Sequence, residues 1–154
     1  MGWKTFPVQY GERPHSLYKD SSYPGAGIEL LPGPRQFYEA RIRELEEAVR
    51  GRFLLDFPRK GGSSLRATLE TVERTTGIHD EQLDITEIPV GFESWYTHFL
   101  SLRTGERITY TDVIAYQEVT GMHLNPMELA AVMAMDRAAS SAVAEVLKEN
   151  ANGG

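Results

Sequence analysis

The side chains best suited to binding a metal or moving a proton near neutral pH are four histidines, His15, His79, His98 and His123. No two of them stand three to five residues apart, so no helix can offer a histidine pair to a metal ion. His79-Asp80-Glu81 sets three ligand types side by side. Consecutive side chains diverge along a helix and alternate along a strand, so this run reads as a surface loop. Cysteine is absent, which removes disulfides, thiolate nucleophiles and cysteine-ligated zinc together. Gly25-Ala26-Gly27 lacks the further glycine and the preceding strand that a dinucleotide-binding turn needs. Lys60-Gly61-Gly62-Ser63-Ser64 lacks the Gly-Lys-Ser/Thr ending of a phosphate loop, and no Gly-x-Ser-x-Gly elbow occurs. The carboxylates Asp80, Glu81, Asp84 and Glu87 cluster without an apolar wall to raise a pKa, and without the ligand rhythm and central glycine of a calcium loop. No catalytic residue, metal site or cofactor site is expected, and the chain is read as a non-enzyme.

The charges exclude further classes. Residues 1–60 carry 10 Lys+Arg against 8 Asp+Glu, whereas residues 61–154 carry 6 against 14, for a total of -6. An acidic latter part is a poor match to nucleic acid, whose phosphates call for clustered Lys and Arg. The start, Met1 to Pro7, has no apolar h-region, so no secretory signal is expected. No stretch approaches the roughly 18 apolar residues of a membrane-spanning helix. A hydrophobic share of 41% still leaves a core to bury.

The elements that would position any surface are mostly helices. Six of the eight prolines fall in the first 58 residues, and Trp3, Phe6, Tyr10, Tyr18 and Tyr23 are scattered there among Pro, Gly and Ser. A disordered tail is poor in rings, so residues 1–34 read as an extended arm that docks, either on its own domain or on a partner. A helix follows Pro32-Gly33-Pro34, with Tyr38, Ile42, Leu45 and Val49 on one stripe and Gly51 as its expected stop. Phe53 to Pro58 reads as an edge strand or buried connector, and Arg59 to Ser64 as a flexible joint. Beyond it, Ser63 or Ser64 caps a helix ending at Gly77, with Leu65, Leu69 and Val72 as its apolar positions. An acidic linker, His79 to Glu87, leads to a helix whose face is Phe92, Trp95, Tyr96, Phe99 and Leu102. Thr109 with Asp112 marks a capping box for the next, with Ile114 (or Val113), Ala115, Tyr116 and Val119 expected inside and Gly121 as the stop. Asn125-Pro126-Met127-Glu128 opens the last helix, which runs towards Lys148 and leaves Asn150 to Gly154 frayed.

The reading is therefore all-α: a small helical bundle with a Pro/aromatic-rich N-terminal arm. It divides into an arm over residues 1–34, a helix plus connector over 35–60, a helical domain over 61–149 and a tail over 150–154. Large rings and methionines exceed what a plain core requires, and both types also anchor interfaces. The expected protein-binding residues are Trp3, Phe6, Tyr10, Tyr18 and Tyr23 in the arm, and Phe92, Trp95, Tyr96, Met127, Met133 and Met135 in the helices.

One longer pattern combines these signals. Pro89, Trp95, Phe99, Leu102 and Arg103 are followed by Ile108-Thr109-Tyr110-Thr111-Asp112-Val113-Ile114-Ala115-Tyr116, then Thr120-Gly121, Leu124, Pro126, Glu128 and Met135-Asp136. This pattern resembles the tail assembly chaperones of tailed bacteriophages, and the Leu65 to Gly77 helix fits the same plan. Met127 stands where such proteins commonly carry an aromatic residue, and the loop between Arg103 and Ile108 is short and Gly-poor. The resemblance implies a protein that binds tape-measure or tail subunits in the host cytoplasm during assembly and delays their polymerisation. Its partners would be other phage proteins, with a homo-oligomer as a further expectation and no nucleic acid or membrane involved. The alternative is a structural component of the virion (tail, neck or connector) whose arm wraps neighbouring subunits.

Overall fold

The computed structural model describes Gly2 and residues 33–153, so the aromatic arm expected over residues 1–34 lies almost wholly outside the described residues. From residue 33 onward the chain packs as one compact unit. Among the described residues there are five α-helices and no strand: α1 (Pro34–Asp56), α2 (Leu65–Thr76), α3 (Glu93–Leu102), α4 (Tyr110–Thr120) and α5 (Pro126–Asn152). A single 3-10 turn, Glu81–Leu83, lies in the linker before α3.

Local chemistry accounts for most of the boundaries. Ser64 accepts a bond from the Ala67 N–H at the start of α2, and Gly77 closes that helix with a left-handed backbone at φ 72°. At α4, Thr109 accepts from the Asp112 N–H while the Asp112 carboxylate accepts from the Thr109 N–H at 2.7 Å. Asn125 accepts from both Met127 and Glu128, with Pro126 in the first turn of α5.

Two ends differ from expectation. Helix α1 does not stop at Gly51 but continues through Phe53, Leu54 and Leu55 to Asp56. Gly51 is there because Ile85 of the linker crosses that face so closely that a Cβ would lie 3.1 Å from its Cγ2. Helix α5 continues to Asn152, and Asn150 within it accepts a bond from the Lys60 backbone N–H at 2.9 Å.

The longest helices, α1 and α5, pair with each other and run in the same direction. Arg50 meets Ser141 and Glu145, and further along Arg59 meets Glu149. Parallel helices cannot be joined by a tight turn, so α2, α3 and α4 form the crossover between them. Leu45, Ala48 and Val49 of α1 and Ala131, Val132, Met135, Ala139 and Ala142 of α5 are fully buried. Small residues on α5 allow close approach, and Phe99 of α3 is equally buried among the core residues.

Candidate protein-binding surface

Helix α3 is held by its rings. Trp95 meets Phe92 edge-to-face at 4.7 Å and stacks with Tyr38 of α1 at 6.0 Å, while Phe99 lies edge-on to Phe53 at 6.2 Å. At its end Arg103 pairs with Asp136 of α5, both side chains buried. Arg103 also donates to Ser140 Oγ at 3.2 Å and lies over the Phe53 ring at 5.2 Å. One guanidinium thus ties α3, α5 and α1 together, with its charge neutralised in place.

Helix α4 is attached more lightly. Val113 is buried, and the Tyr116 hydroxyl meets His98 Nδ1 of α3 at 2.9 Å. The Gln117 side chain accepts from the Leu124 N–H at 2.8 Å. Apolar side chains are nevertheless spread around the whole α4 axis. Of the expected alternatives Ile114 and Val113, Val113 is the inward one and Ile114 is 55% exposed; Ala115 and Val119, also expected inside, are exposed, Val119 at 87%, and Tyr110 is 66% exposed. Val113 turns inward with Tyr116 and Gln117, its i+3 and i+4 neighbours, on the side facing α3.

The residues expected to bind a partner fall into three groups. Trp3, Phe6, Tyr10, Tyr18 and Tyr23 lie outside the described residues. Phe92, Trp95 and Met135 are buried in the core. Tyr96, Met127 and Met133 are half-buried and pack against that core. Most of these predicted rings and methionines thus lie in or against the core, whereas exposed apolar residues are spread over several elements (Phe37, Val90, Leu100 and Leu147 among them) and recur on α4 as Tyr110, Ile114 and Val119. Their sequence signal is a helix with apolar residues on more than one face.

In the acidic linker, His79 sits between two carboxylates: Nδ1 lies 3.1 Å from Glu73 of α2 and Nε2 lies 3.0 Å from Asp84. The bond to Glu73, then that to Asp84, raises the imidazole pKa above its usual value. Asp112, by contrast, is held below the usual carboxylate range by the hydroxyl and backbone N–H of Thr109. Among the described residues no group of three or more His, Asp or Glu side chains could hold a metal ion, and no helix is long and apolar enough to cross a membrane.

Residues 72–141, from within α2 to the middle of α5, match the family model described as phage tail assembly chaperone. That stretch, just under half of the chain, is similar to phage tail assembly chaperones. No curated protein and no solved structure matches it. The match to phage tail assembly chaperones spans the Trp95 helix, the Arg103–Asp136 pair and all of α4. It supports a role in phage tail morphogenesis and, with it, interaction with other phage proteins.

Proposed function

We propose that this chain is a non-enzymatic assembly chaperone that binds a tape-measure protein or tail subunits in the host cytoplasm and keeps them from polymerising early. The observation that carries this reading is the family match over residues 72–141. The physical logic is consistent with it. A long helical client with apolar stripes aggregates when those stripes are bare, and a small acidic protein that covers them keeps the complex in solution. The matched region carries eleven Asp and Glu against Arg74, Arg103, Arg107 and Arg137 and no lysine. That balance adds solubility and steers basic partners towards it.

Co-expression tests the reading. The full chain should move the tape-measure protein of the same phage from the insoluble to the soluble fraction and co-purify with it. Mass spectrometry of finished particles should then find the chain absent. Presence at a fixed copy number would instead identify a structural virion component, and failure to solubilise any tape-measure or tail-tube protein would remove the chaperone reading.

A further inference from the structure

Helix α4 breaks the usual rule for a surface helix, whose apolar residues gather on the inward face. Val113, Tyr116 and Gln117 already attach it to the body. Its outward arc nevertheless presents Tyr110 and Ile114, spaced i,i+4, beside Ala115 and Val119, also spaced i,i+4, with every one of these residues exposed. Glu118 stands between the two rows, and Asp112 lies at the rim, its carboxylate ionised and anchored by Thr109.

The surrounding charge is one-sided. From Ile108 to Asp136 the sequence contains no Lys or Arg. Exposed Arg107 and Arg137 bracket that stretch, while Arg103 is buried against Asp136. An apolar ridge within an acidic field suits a partner that is apolar along one stripe and basic at its edges.

We infer that the outward face of α4, built on Tyr110, Ile114, Ala115 and Val119 with Glu118 among them, is the docking surface for an amphipathic helix flanked by Lys or Arg. This rests on the chaperone reading above and assigns its client-binding face. Burying one such aliphatic side chain is worth about a tenfold change in affinity or more.

The experiment uses the full chain and a synthetic helical peptide with a leucine stripe and lysine flanks, measured by fluorescence anisotropy. The doubly substituted Ile114→Ser/Val119→Ser chain, whose charge is unaltered, should bind about tenfold or more weakly. Its far-UV circular dichroism and melting temperature should stay those of the wild type, since both side chains face water. Glu118→Gln should flatten the salt dependence, and a glutamate-flanked peptide should bind less well. Leu100→Ser, at an exposed apolar site on α3, should change nothing.

Equal binding by the wild type and the double variant would overturn the assignment. So would equal weakening by Leu100→Ser, or a self-association of the free chain that Ile114→Ser abolishes, which would make the occupant a second copy. The two readings separate in the co-expression assay. If the double variant still solubilises the tape-measure protein, the α4 face is wrong and the chaperone function stands. If the wild type binds the peptide through α4 yet solubilises no tail protein, the surface stands and the function falls.

Discussion

At the scale of single residues, the Arg103–Asp136 pair is the interaction whose loss the protein tolerates least. Both side chains are buried, so removing either partner leaves a charge in a low-dielectric site. Asp136→Ala should cost about 3–5 kcal/mol in urea unfolding, whereas the joint replacement Arg103→Met/Asp136→Leu should recover most of that loss. His79 makes a pH-dependent contribution of the opposite kind, exposed and reversible. Its pKa is raised in the folded chain, so the protonated form is favoured by folding. The stabilisation is complete below the unfolded value of about 6.5 and fades as the pH rises through the raised folded value. The melting temperature of His79→Gln should therefore fall below that of the wild type in mild acid and converge with it in alkaline buffer. Salt should shrink the difference, because the site faces water.

At the scale of elements, the helix ends are where local chemistry decides most. Asn125 satisfies two backbone donors at the start of α5, so Asn125→Ala should cost about 1 kcal/mol by thermal unfolding. Gly51→Leu should cost about 1–3 kcal/mol, because its Cβ would lie 3.1 Å from Ile85 Cγ2 and the linker must shift to admit it. These two positions also mark the limit of what could be read in advance. Thr109 with Asp112, Asn125 with Glu128, Gly77 and Gly121 all act on groups within a turn of themselves, and each was legible in the sequence. Gly51 has its reason in Ile85, far along the chain, so it passed for a helix stop. On α4 the adjacent Val113 and Ile114 are equally apolar, and only the position of α3 decides which turns inward. Trp95 and Met135 pose the same difficulty, since core and interface ask for the same side chains, and burial alone separates the two uses.

At the scale of the whole molecule, the parallel pairing of α1 with α5 governs how the protein comes into being. The apolar stripe of α1 (Ile42, Leu45, Val49) finds its main cover in α5, which is synthesised after the other four helices. Bringing them together closes a loop that contains three other helices, which is a slow, late event for a helical protein. During translation α1 must therefore wait, wet and exposed, until the final helix leaves the ribosome. A chain halted at Leu124 should be cut by protease within α1, whereas the released full-length chain should resist. The nascent chain would then pass through the same condition proposed for the clients, a helix displaying an uncovered hydrophobic seam until the right companion arrives.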